Sequence, residues 1–191
     1  VLLASSDSRN AFPYLNYLLG ELKLAKMDQD ASSYLITYTQ SFKGQSYIKS
    51  AHQKIAWHSL LTNGDEKMYR SRISKVDNVG STMLDEDKSA QKEFDSGEIP
   101  NRVLLKARLQ FDGGFYQEAL KTLITSKTSD LTTADERLEF TYRLGRIHHE
   151  LGNQKEATSY YKMTIENGAD NKRYFAANSS LMLGLIYESS K

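Results

Sequence analysis

The chain has 191 residues, 25 Lys and Arg against 24 Asp and Glu, 39% apolar residues and no cysteine. A near-neutral balance argues against nucleic acid as a partner, because such binders carry a basic excess. The lack of cysteine excludes disulfides, thiolate metal sites and cysteine nucleophiles.

No apolar run approaches the roughly 18 residues of a membrane-spanning helix, so no span is expected. Val1-Leu2-Leu3-Ala4 is too short for a signal peptide, and no initiator Met precedes it. The expectation is a soluble fragment or processed product of a longer protein. Cytoplasm and bacterial periplasm both stay open.

Read in chain order, apolar residues recur at helical spacing and nowhere alternate with the period of a strand. Tyr14, Leu15, Leu18, Leu19, Leu22 and Leu24 form a first helical face. A turn at Lys26-Met27-Asp28 leads to a second helix, Ala31 to Phe42, and the pair makes a hairpin over 11–43. Ile48, Ala51, Ile55, Ala56, Trp57, Leu60 and Leu61 mark the next helix, which turns at Thr62-Asn63-Gly64-Asp65 into a hairpin over 46–76. An extra helix is expected at 82–96, where Asp85-Glu86-Asp87 reads as a solvated helix start. Val103, Leu104, Ala107, Leu109 and Phe111 then precede Asp112-Gly113-Gly114 and the helix Phe115 to Ile124, a hairpin over 100–127.

Thr133-Ala134-Asp135-Glu136 has the form of a capping box. It opens a hairpin over 134–167 that turns at Leu151-Gly152-Asn153. A final helix spans 172–190, with Phe175, Ala176, Leu181, Leu183, Leu185 and Ile186. The fold class is all-α: antiparallel helix hairpins, about 9–11 helices with one inserted extra helix, in a single domain over 1–191.

Small residues recur at matching places: Gly20, Ala56, Ala107, Gly145 and Gly184, at intervals of 36, 51, 38 and 39 residues. Three of them have an alanine eleven or twelve residues on, Ala31, Ala119 and Ala157. Two helices approach closely only where side chains are small, so Gly145 is expected to face Ala157, and Ala107 to face Ala119.

Tyr142-Arg143-Leu144-Gly145-Arg146-Ile147-His148, then Gly152-Asn153-Gln154-Lys155-Glu156-Ala157 and Tyr160-Tyr161, resembles a tetratricopeptide repeat. Gly114-Phe115-Tyr116-Gln117-Glu118-Ala119 matches the second half of that pattern. His148 stands where the family has an aromatic, Ala107 where it has glycine, and the repeat-ending proline is missing. The segment Phe42-Lys43-Gly44-Gln45-Ser46-Tyr47, with the helix after it, is similar to large tetratricopeptide proteins of Bacteroidetes-type bacteria. The resemblance implies a right-handed solenoid whose first helices line a concave groove. It selects Tyr17, Glu21 and Leu24, then Gln53, Trp57 and Leu60, then Leu104, Arg108 and Phe111, then Tyr142, Arg146 and His149. Within that groove Trp57, Arg108, Phe111, Tyr142, Arg146 and His149 are the candidate partner-binding residues. Arg108 and Arg146, with Tyr142, are expected to meet an acidic or carboxylate-bearing segment. The Lys/Asn clamp by which some family members hold chaperone tails is not reproduced.

Other patterns favour plain structural explanations. His148 and His149 are adjacent on a helix and point about 100° apart, so they do not chelate one metal; His148 is expected between helices and His149 in solvent. His52 and His58 fall on different faces. Asp112-Gly113-Gly114 lacks the strand and the spacing of a phosphate loop. Carboxylate pairs such as Asp85/Asp87 and Glu136/Glu139 read as helix surface, and the glycosylation triplet Asn178-Ser179-Ser180 lies inside a helix. No enzyme, cofactor or metal is expected. The function implied is a scaffold binding a protein or peptide partner. The alternatives are a structural module that self-associates through its terminal helices and, behind both, a small-ligand receptor or an enzyme.

Overall fold

A computed structural model describes residue 9 and residues 11–189. The Val1 to Ala4 stretch and the last two positions of the chain lie outside the described residues. Among the described residues there are ten α-helices and no strand: α1 Tyr14–Ala25, α2 Ala31–Ser41, α3 Ile48–Asn63, α4 Glu66–Ile73, α5 Asp85–Ser96, α6 Arg102–Asp112, α7 Tyr116–Ile124, α8 Ala134–Glu150, α9 Gln154–Asn167 and α10 Phe175–Ser189. Short 3-10 turns follow α4 at Ser74–Val76 and precede α8 at Thr128–Asp130. None of these helices is long and apolar enough to cross a membrane.

Where the sequence suggests one continuous array, the contacts gather into two compact units, divided between Arg102 and Val103.

In the first unit α1 and α2 pack as a hairpin. Met27 takes a left-handed backbone at the turn, φ 62°, and Lys23 reaches across it to Asp28 and Asp30. Tyr17, Leu35, Tyr38, Ile48, Ala51 and Ile55 form the core. The rings of Tyr14, Tyr17, Tyr38 and Tyr47 cluster there, with centroids 4.9–6.5 Å apart. α3 is the central helix and touches α1, α2, α4 and α5. Enclosed on so many sides, it buries polar residues as well as apolar ones: Lys49, Ser50, Gln53, Lys54 and Ser59. Such groups are tolerated in a core only when hydrogen-bonded, and they are. Lys54 Nζ donates to Tyr17 Oη at 2.9 Å and Ser50 Oγ at 2.6 Å and pairs with Glu21. Lys49 Nζ donates to the Val76 carbonyl and to Gln91 Oε1, each at 2.7 Å.

The expected inserted helix is α5; Asp85 and Glu86 at its start are exposed as the sequence suggests, but the third acid is not. Asp87 is fully buried. Its two carboxylate oxygens accept the backbone N–H of Tyr47 at 2.6 Å and of Ser50 at 3.0 Å. It thus caps the N-terminus of α3 from another helix, where the unsatisfied donors and the macrodipole favour an anion. Two turns on, Glu93 accepts from Gln53 Nε2, Trp57 Nε1 and Tyr69 Oη at 2.7–2.8 Å.

In the second unit Leu104 and Ala107 of α6, Ala119 and Leu123 of α7, Leu131, and Leu144 and Ile147 of α8 share one core. α8 packs on α7, α9 and α10. The capping box at the start of α8 is complete: Glu136 N–H donates to Thr133 Oγ1 at 3.1 Å and Thr133 N–H to Glu136 Oε2 at 2.9 Å.

The small positions Gly20, Ala31, Ala56, Ala107, Ala119, Gly145 and Ala157 are buried. At Gly20 and Gly145 the nearest side chain across the crossing is a large one rather than the expected alanine. A β-carbon on Gly20 would come within 2.6 Å of Leu35, and one on Gly145 within 2.7 Å of the Tyr161 ring. In both hairpins the glycine accommodates the large residue one turn beyond the alanine. Gly184 departs from the pattern, because it is exposed and a β-carbon there would meet nothing within 4 Å.

A candidate binding cleft in the second unit

Tyr142 and Arg146 stand four residues apart on α8 and therefore share a face. That face meets Arg108, Phe111 and Asp112 of α6 and Tyr174, in the turn just before α10. With Arg143 these residues line a cleft of about 190 Å³.

Three guanidiniums meet there, and each is held differently. Arg143 is nearly buried and is committed to Glu139, one turn earlier on α8. Arg146 is half-buried; its guanidinium stacks over the Phe111 ring at 4.9 Å, and Nη1 donates to Tyr142 Oη at 3.0 Å. Among the described residues no carboxylate lies within ion-pair distance of Arg146. Burial is the largest influence and works against its charge, but the hydrogen bond to Tyr142 and the charge interactions with Tyr142, Tyr161 and Glu150 together outweigh it, so its pKa is raised. Arg108 completes the set on α6.

Of the aromatic walls, Tyr142 is buried and Tyr174 is exposed on one side. Tyr142 is edge-on to Tyr174 at 5.7 Å and tilted against Phe175 at 5.1 Å. Burial raises the pKa of Tyr174, so its hydroxyl stays protonated at neutral pH. Asn178 of α10 donates from Nδ2 to Tyr142 Oη at 2.8 Å.

Of the six candidate residues named from sequence, the structure brings Arg108, Phe111, Tyr142 and Arg146 together. His149, near the C-terminal end of α8, lies outside the cleft lining; its Nδ1 is 3.4 Å from Tyr161 Oη. It is half-buried rather than solvated, and His148 stacks on Tyr160 at 5.5 Å. Trp57 is not on an open groove: it belongs to the first unit, is buried, and gives its indole N–H to Glu93. The reason is α5, which covers that side of α3. Tyr17, Leu24, Gln53, Leu60 and Leu104, also selected for a groove, are buried as well.

Sequence reasoning does not single out Tyr174, Asn178 or Asp112 as site residues. Asn178 stands out in sequence only as part of a glycosylation triplet; in the fold it is half-buried and spent on Tyr142. A signal for Tyr174 and Asn178 does exist. Tyr174 and Asn178 are spaced like Tyr142 and Arg146, one hairpin further along.

The cleft offers cation, hydroxyl and aromatic surface, the groups that recognise anions. Among the described residues no group of three His, Asp or Glu is placed to hold a metal ion. Comparison with known protein families, with curated proteins and with solved structures returns no match.

Proposed function

We propose that the chain is a non-catalytic interaction scaffold of tetratricopeptide type, in which the cleft of the second unit, between α6 and α8, receives a peptide or helix of a partner protein. The segment recognised is acidic. Support comes from the pattern of Gly20 with Leu35 and Gly145 with Tyr161, which repeats one packing device in two hairpins. The observation that carries the reading is Arg146: a half-buried guanidinium with no ion-pair partner among the described residues, in a cleft with Arg108 and three aromatic rings. A cleft of about 190 Å³ is smaller than the roughly 300–1,000 Å³ of small-molecule sites, so it suits a side chain of a larger partner.

The test is affinity capture with the wild-type chain and with the double charge reversal Arg108→Glu and Arg146→Glu. Proteins held by the wild type should be lost from the variant. Equal capture by both removes the cleft from consideration.

A second reading, a structural module that self-associates, draws on α10. Leu181, Leu185 and Tyr187 are exposed beside the open Gly184. A mass that rises with concentration in light scattering, and returns to one chain on Leu181→Glu and Leu185→Glu, would favour it.

A further inference from the structure

Hydrogen-bond valence in the cleft specifies the group it is built to hold. A phenol oxygen can accept two hydrogen bonds and donate one. Tyr142 Oη accepts from Arg146 Nη1 at 3.0 Å and from Asn178 Nδ2 at 2.8 Å. Both acceptor positions are filled, and among the described residues nothing takes the Tyr142 proton. The Arg146 guanidinium has five N–H donors, of which one is used. Unspent donors of two kinds, one neutral and one charged, therefore adjoin, on Tyr142, which is 3% exposed, and on the half-buried Arg146 whose Nη1 is 3.0 Å from its hydroxyl.

Charge decides between the anions that could sit there. Arg108, Arg143 and Arg146 face Asp112 and the Glu139 that holds Arg143. One positive charge is in surplus, and Glu150, one turn on from Arg146, is exposed to water that screens it. A monoanion balances this site; a phosphate dianion would bring excess charge up to Asp112 and Glu139. The small volume and the rings of Phe111 and Tyr174 suit a carboxylate on a short aliphatic stem.

We infer that the cleft is a site for one Glu or Asp side chain of a peptide segment, its carboxylate taking the Tyr142 O–H and an Arg146 N–H. Asn178 is the positioning residue that turns the Tyr142 proton toward it. This rests on the scaffold reading above and names its ligand chemistry.

The probes are three blocked alanine-rich peptides differing at one residue: glutamate, glutamine or phosphoserine. Each is titrated into the full chain while the Arg146 Nε–Hε and Asn178 side-chain amide signals are followed by NMR. The glutamate peptide should move both signals, and the glutamine peptide should bind about tenfold more weakly, the worth of one charge-assisted hydrogen bond. Asn178→Asp offers a competing acceptor to the Tyr142 proton. It should abolish the preference for glutamate over glutamine while leaving the thermal midpoint close to wild type. Asn178→Ala should weaken glutamate binding severalfold by freeing the hydroxyl.

Equal affinity for glutamate and glutamine, tighter binding of phosphoserine, silence at Arg146 with every probe, or tighter glutamate binding by Asn178→Ala would each overturn the assignment. Shifts confined to residues outside the cleft would overturn it too, while leaving a scaffold that binds elsewhere.

Discussion

Gly145 of α8 lies against the ring of Tyr161 on α9, close enough that a β-carbon would sit 2.7 Å from Cδ1 and 2.8 Å from Cε1. The ring is fully buried and has no room to retreat. Gly145→Ala should therefore destabilise the second unit by about 1–3 kcal/mol through overpacking, more than alanine's helix propensity of up to about 1 kcal/mol returns. Gly184→Ala, where nothing is near, should be stabilising by up to about 1 kcal/mol. Urea midpoints of the two variants should move in opposite directions. Adding Tyr161→Leu to Gly145→Ala should recover part of the loss, because neighbouring sites couple.

Asp87 is fully buried and satisfies two backbone N–H groups at the start of α3. Replacing it with alanine strands both donors away from water. The expected loss is about 2–4 kcal/mol, a lost cap together with unsatisfied buried groups. Asp87→Asn keeps one acceptor oxygen and should fall between. Chemical denaturation followed by circular dichroism measures the order.

Trp57 is the only tryptophan in the chain, so its fluorescence reports one place. Its indole N–H, Gln53 Nε2 and Tyr69 Oη all converge on Glu93. Glu93→Ala should loosen α5 from α3, shift the emission to longer wavelength and increase quenching by acrylamide. An unchanged spectrum would mean that α5 stays in place without this carboxylate.

His52 and His58 give the first unit a pH response of definite sign. Burial is the main cause that holds both imidazoles below their ordinary pKa, with the charge of Lys75 adding to it for His52 and that of Arg72 for His58. The Asp28 carbonyl, which accepts from His58 Nε2 at 3.2 Å, works the other way without reversing the result. The unfolded chain therefore takes up protons more readily than the folded one. Stability should be complete above the ordinary histidine range near about 6.5, fall as pH drops through it, and level off below the folded pKa values. Thermal midpoints between pH 7.5 and 5.5 should show that slope, and His52→Gln with His58→Gln should flatten it.

The helices are readable because their apolar positions repeat with one period and because Gly64, Gly114 and Gly152 supply left-handed turns between them. The Thr133 capping box is local, four residues long, and so is plain in sequence. The cleft is half legible: Tyr142 and Arg146 stand four residues apart in sequence and so share a helix face. What escapes reading depends on contacts distant along the chain. Asp87 resembles any exposed helix-start acid until Tyr47 and Ser50 are known to face it. Trp57 resembles a groove aromatic until α5 is placed over it. Small residues at crossings stand out, but not what they accommodate, since Leu35 and Tyr161 are ordinary core residues in sequence.

The manner in which α5 is attached has a consequence for how freely the chain can vary. Its grip comes from Asp87, Ala90 and Glu93, one residue per turn along a single stripe, and from Gln91 beside it, which accepts from Lys49 of α3. The exposed positions Lys88, Ser89 and Lys92 bear almost none of it. Mutation can therefore redecorate that outer surface, in charge or in shape, at little risk to the fold. A drifting lineage could acquire new surface chemistry on α5 while the anchoring positions hold the helix in register.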